Sequence, residues 1–184
     1  QDYVDELLLR FNMNLCKSAN TPHQPGYYLS TNMSPTTDQE RDNMKLVPYS
    51  ELVGSLNWLA TTTRPDIACA VGTLCRFISN PGRQHWTAAQ RVLRFLAGTS
   101  DHGLKFTAGS SKNPAGLYGY SDADWAGNPD TRRSTTGFVF TFHGAPISWK
   151  SKLQPSTALS SVESEYIALC GASLEAKWIY QLLF

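Results

Sequence analysis

The sequence predicts an α+β chain in which helices come first, a small antiparallel sheet follows, and one long helix closes the order. Three observations carry this. Apolar residues recur at helical spacing from about residue 46 to 99. After Gly98 the pattern changes to alternation in three short stretches. From Ser161 the spacing becomes helical again and stays so to Phe184. Consecutive strands with short links favour a meander over a parallel sheet.

Residues 2–13 read as a short amphipathic helix, with Tyr3, Val4, Leu7, Leu8 and Phe11 on one side. Residues 17–45 hold Pro22, Pro25, Pro35 and many Ser, Thr and Asn, and read as a connector with little core-forming content. Three helical segments follow. The first runs from Tyr49 to about Thr61, with Leu52, Val53, Leu56 and Leu59 on its apolar side. The second opens at Pro65, a favourable first helical residue, and stops at Asn80-Pro81. The third runs from about Gln84 to Leu96 and closes at Ala97-Gly98. Strands are expected at 115–124, 135–142 and 145–152, with His143-Gly144 turning the second into the third. The final helix should cover one face of this sheet, leaving Trp178, Ile179, Leu182 and Leu183 as an exposed apolar patch.

Composition narrows the function. The 184 residues are 41% hydrophobic and 17% charged, enough for a real core and against wholesale disorder. A net charge of +1 excludes a strongly basic nucleic-acid module but leaves room for a local basic stripe. Cys16, Cys69, Cys75 and Cys170 form no C-x-x-C pair. Three of them lie in apolar helical stretches, so they read as reduced, structural thiols of an intracellular protein that is not secreted. The four histidines show no metal spacing, and no apolar run is long enough to span a bilayer. The chain starts without Met or a signal peptide, as if cut from something longer.

Two acidic runs about forty residues apart carry the chemistry. The first, Tyr120-Ser121-Asp122-Ala123-Asp124-Trp125, ends a strand. Alternation sets Tyr118, Tyr120, Asp122 and Asp124 on one face. The second, Ser160-Ser161-Val162-Glu163-Ser164-Glu165-Tyr166, starts a helix. Ser160 and Glu163 fit a capping box, with Glu163 reaching back to the Ser160 backbone N–H. Asp124 has a structural use as a turn cap. That leaves Asp122 and Glu165 as two carboxylates from different elements, hard oxygen ligands suited to Mg²⁺ or Mn²⁺. Glu175 is about 15 Å further along the helix and cannot join them. Arg132 and Arg133 between the first two strands, and Lys150 and Lys152 on the third, suit phosphate contact or the plain guarding of a sheet edge. Arg91 and Arg94 lie opposite the apolar side of the third connecting helix and join that basic set.

The segment Tyr120-Ser121-Asp122-Ala123-Asp124-Trp125-Ala126-Gly127 resembles the opening motif of the ribonuclease H domain in copia-type retrotransposon Pol polyproteins. The resemblance continues through Arg133 to Phe140, Ile147 to Pro155 and Ala158 to Leu169. Upstream, Val53 to Leu59, Thr63 to Ile67, His85-Trp86 and Arg91 to Leu96 resemble the helical connection that precedes this domain. Residues 1–14 resemble the last helix of the reverse transcriptase part. The resemblance implies three regions: 1–45 as the end of the reverse transcriptase region with a linker, 46–110 as the connection, and 111–184 as the first half of a ribonuclease H-like domain. It implies a Mg²⁺- or Mn²⁺-dependent nuclease cutting the RNA of an RNA–DNA hybrid, working with the rest of the Pol polyprotein. Asp122 and Glu165 match two of the four metal carboxylates of that family, in catalytic and metal-binding roles. With half the set, the chain is expected to be inactive alone. The alternative is a non-catalytic remnant that binds nucleic acid weakly or serves as a structural piece.

Overall fold

The computed structural model describes residues 2–107 and 116–183. They fall into two units, Gln1–Gly103 and Leu104–Phe184. The division differs from the three expected regions, because residues of 1–45 share a core with those that follow.

The first unit is helical: α1 (Asp2–Arg10), α2 (Asp38–Lys45), α3 (Tyr49–Thr62), α4 (Ala68–Cys75) and α5 (Arg83–Ala97), with single 3₁₀ turns at Thr31–Met33 and Pro65–Ile67. Val4, Leu7 and Leu8 of α1 and Leu29 of the connector pack with Leu52, Leu56, Val71, Leu74, Val92, Leu93 and Leu96. Two buried polar side chains of this core find partners. The Tyr49 hydroxyl donates to the Leu74 carbonyl at 2.9 Å, and burial, with the Cys75 thiol beside it, holds that hydroxyl well above the usual phenol range. Buried Arg64 forks onto the Asp66 carboxylate and donates to the Thr99 carbonyl and hydroxyl, tying the end of α3 to the end of α5.

Helix α2 departs from the expected featureless connector. Thr37 Oγ1 accepts from Glu40 N–H, and the Glu40 carboxylate accepts from Thr37 N–H, a reciprocal capping box. The Thr36 and Thr37 N–H groups, both donating to it, hold the Glu40 carboxyl below its ordinary range.

In the second unit β1 (Leu117–Ala123), β2 (Thr135–Phe142) and β3 (Ala145–Leu153) form an antiparallel meander in the order β1-β2-β3. His143 and Gly144, at φ 49° and 84°, make the tight β2–β3 turn, where both residues must be left-handed. Helix α6 (Ser161–Leu183) crosses the sheet. Phe138 and Phe140 are buried against Ala172 and Ile179, with Leu117, Ile147 and Ala176 around them. The buried stripe of α6 is Ser164, Ala168, Ala172 and Ile179, mostly small side chains that let helix and sheet approach closely.

Two expectations fail here. Ile179 is buried at 2% exposure, so the apolar patch is Trp178, Leu182 and Leu183 without it. Cys69 and Cys170 are exposed, because apolar stretches bury only one side of a helix, and Cys170 lies opposite the Ala168–Ala172 stripe. All four thiols are free.

Candidate metal centre

The register of the sheet fixes the direction of Asp122. Ser121 pairs with Phe138 and Gly119 with Phe140. Both phenylalanines face α6, so odd-numbered β1 residues face the helix too, and Tyr118, Tyr120 and Asp122 point to the other face. Glu165 sits on α6 one residue past buried Ser164. Glu175 on the same helix accepts from Ser148 Oγ of β3 at 2.6 Å. Ten residues at about 100° each set Glu165 roughly 80° round from Glu175, on the side of the helix over β1.

The first turn of α6 is tied to one end of the sheet. Gln154 Nε2 donates to Thr136 Oγ1 at 3.1 Å and to the Ser164 carbonyl at 2.9 Å. Thr136 is the register partner of Ala123, the neighbour of Asp122. Trp125 Nε1 donates to the Ala158 carbonyl at 3.4 Å, joining the exit of β1 to the approach to α6. Asp122 and Glu165 therefore border the same end of β1, one from each face. Among the described residues β1 pairs only with β2, so this is an open edge.

Both carboxylates are exposed, and neither takes part in a salt bridge among the described residues. Among those residues no group of three or more His, Cys, Asp or Glu comes together to hold a metal ion. Two open carboxylates suit Mg²⁺, which is commonly bound through one or two carboxylates and keeps much of its water.

The other acids of the two runs have structural tasks. Asp124 Oδ1 accepts from Thr135 N–H, while its own N–H donates to the Thr135 carbonyl, closing the base of the β1–β2 loop. Glu163 N–H donates to Ser160 Oγ at 3.1 Å. The Glu163 carboxylate reaches Leu159 N–H at 2.7 Å, one residue before the Ser160 N–H expected from the capping pattern.

The basic residues divide. Arg132 and Arg133 lie in a loop built around buried Asn128, whose Oδ1 accepts from Asp130 and Thr131 N–H. Lys150 and Lys152 are exposed and pair with Phe138 and Thr136, which places them on the α6 side of β3. Arg91 and Arg94, in the other unit, are half-buried. Arg91 donates to Thr21 Oγ1 at 3.0 Å and Arg94 to the Lys17 carbonyl at 2.7 Å, so both pin the connector along α5.

Comparison with known proteins places the chain among transposon proteins. It is 47% identical, over its full length, to the retrovirus-related Pol polyprotein from transposon TNT 1-94 of Nicotiana tabacum, of which it covers 14%. It is 52% identical over 137 residues to a secreted RxLR effector protein of Plasmopara viticola, covering 74% of this chain and 94% of that one. It is 38% identical over 177 residues (96% of this chain) to an uncharacterized mitochondrial protein of Arabidopsis thaliana, covering 69% of it. The chain is homologous to retrovirus-related Pol polyproteins of copia-like transposons. It spans only about one-seventh of the tobacco Pol relative. No family model and no solved structure matches it. Among the described residues no helix of this Pol segment is long and apolar enough to cross a membrane.

Sequence reasoning missed Gln154. A glutamine between a strand and Pro155 carries no local signal, because its role appears only when β2 and α6 meet.

Proposed function

We propose that this Pol segment is part of a ribonuclease H-type nuclease and that Asp122 and Glu165 are its contribution to a divalent metal centre acting on RNA–DNA hybrids. The observation that supports this best is that the two carboxylates border one end of the same open strand edge. When bound, Mg²⁺ or Mn²⁺ supplies the activation of water and the neutralisation of charge at the scissile phosphate. Asp122 and Glu165 hold and orient it. Arg132, Arg133 and Lys152 stand at the same end of the sheet and suit contact with the sugar-phosphate backbone, which positions a duplex without reading its sequence.

These residues supply two carboxylates where such chemistry ordinarily uses more. The 184 residues alone are expected to leave a labelled RNA–DNA hybrid uncut in Mg²⁺. A longer Pol product that includes them is expected to cut it, and to lose that activity with Asp122→Asn or Glu165→Gln. Undiminished cleavage by both variants would sink the reading.

A second reading rests on one comparison. The chain accounts for 94% of a much shorter relative, the effector protein of Plasmopara viticola. It is that the segment serves outside a polyprotein as a non-catalytic interaction piece. Tight binding of hybrid by the 184 residues, with no metal dependence, would favour it.

A further inference from the structure

We propose that Gln154 is a positioning residue that sets the separation of Asp122 and Glu165. The inference rests on the metal reading above. It begins with burial, since Gln154 is only 2% exposed and Ser164 fully buried. The Gln154 backbone N–H donates to the Ser134 carbonyl at 2.8 Å, fixing the residue to the start of β2. Its Nε2 then makes both the Thr136 and the Ser164 bonds. A carbonyl only accepts, so the bond to Ser164 assigns the nitrogen end of the amide without ambiguity.

One amide thus joins the residue opposite Ala123 to the residue before Glu165. Glu165 follows the residue whose carbonyl the amide holds, and Asp122 pairs across the sheet with Gly137, the residue after Thr136. The opposite end of α6 has its own tie, Ser148 to Glu175, so the helix would stay on the sheet without Gln154. What would be lost is the placement of its first turn.

The glutamine is not what packing alone would select. Its Oε1 is buried with no hydrogen-bond partner among the described residues, a destabilising arrangement. An apolar side chain of that size would avoid it. Retaining the amide makes sense where one turn of helix must be held at a set distance from a strand. Groups that orient metal ligands in this way commonly change affinity about 10-fold or more when removed.

The test is a Mn²⁺ titration of the ¹⁵N-labelled 184-residue chain, followed by paramagnetic broadening of the Asp122 and Glu165 amide signals. In the unaltered chain both are expected to broaden over one concentration range. If they do not, the shared metal centre fails and Gln154 falls with it. In Gln154→Leu the two signals are expected to separate, with the shared range moved up about 10-fold, while the rest of the spectrum stays dispersed. Joint broadening at the original concentration would overturn the role of Gln154 and leave the metal centre standing. Should Gln154→Leu fail to fold, Thr136→Val removes one of the two bonds and is expected to shift the titration in the same direction. No shift there overturns the proposal equally. Ser148→Ala, at the far end of α6, is expected to leave the titration in place. An equal shift in that variant would mean general loosening of the helix and would count against Gln154.

Discussion

Gly82, just before α5, offers a sharp test of how the helical unit is assembled. Its backbone, at φ −102° and ψ 175°, suits any residue, so conformational strain plays no part. Space decides. A Cβ there would lie 1.8 Å from the Met33 carbonyl oxygen and 2.9 Å from its carbon, both backbone atoms that cannot swing aside. Relief requires the 30–34 segment to move off the helix. That segment is clamped by His85, whose Nδ1 accepts from Gly82 N–H at 2.8 Å and whose Nε2 lies 3.2 Å from the Ser30 carbonyl. The imidazole is fully buried and stacks on Phe77 at 4.0 Å. Gly82→Ala therefore combines overpacking, about 1–3 kcal/mol, with disruption of buried hydrogen bonds, about 1–3 kcal/mol. Gly54 in α3 and Gly171 in α6 are the contrast, since a Cβ at either meets nothing within 4 Å. Alanine there should stabilise by about 0.5–1 kcal/mol through helix propensity. In urea unfolding of the full chain, Gly82→Ala should lower the midpoint of the helical unit by about 1–3 M, taking a slope of about 2 kcal/mol per M. Gly54→Ala should raise it slightly. A Gly82→Ala midpoint equal to that of the unaltered chain would refute the packing argument.

Two further outcomes follow from burial and charge. Ile179→Ala should destabilise the sheet unit by about 2–5 kcal/mol by opening a cavity against Phe138 and Phe140, whereas Leu182→Ala, on an exposed side chain, should stay within about 0.5 kcal/mol. Equal melting shifts for the two would show that the docking of α6 is wrongly described. At the start of α2, the Glu40 carboxyl is lowered by the Thr36 and Thr37 backbone donors. Its support for the cap is complete above the unfolded value and is lost as pH falls through the lower folded value. The Thr37 amide shift should titrate below the ordinary glutamate value of about 4.3, and a midpoint at or above that value would contradict the capping geometry.

The sheet was the part of the fold most open to reading from the sequence, because alternation and the His143-Gly144 turn are local signals. The three strands lie within two residues of where alternation put them. Helix α2 was hidden for a physical reason. None of its residues is buried, so it has no apolar periodicity, and its only mark is the Thr37–Glu40 capping pair inside a Pro- and Ser-rich stretch. The thiols of Cys69 and Cys170 were placed inside because apolar neighbours were read without regard to helix face. For the site, the elements bearing Asp122 and Glu165 were legible, as was the capping role of Glu163. Their common position beside the outer edge of β1 was not. It depends on the rotation of α6 about its axis, which the Ser148–Glu175 and Gln154–Ser164 bonds set across long stretches of sequence.

We propose above that Asp122 and Glu165 form one divalent metal centre on RNA–DNA hybrid. This proposal is met most directly by single-turnover cleavage of a labelled hybrid by a Pol product containing these residues, with Mg²⁺ and then Mn²⁺. The expected result is metal-dependent cutting of the RNA strand that Asp122→Asn and Glu165→Gln each reduce by several powers of ten, and by no more when combined. Cleavage that survives both substitutions, or losses that multiply as if the two acted independently, would contradict it.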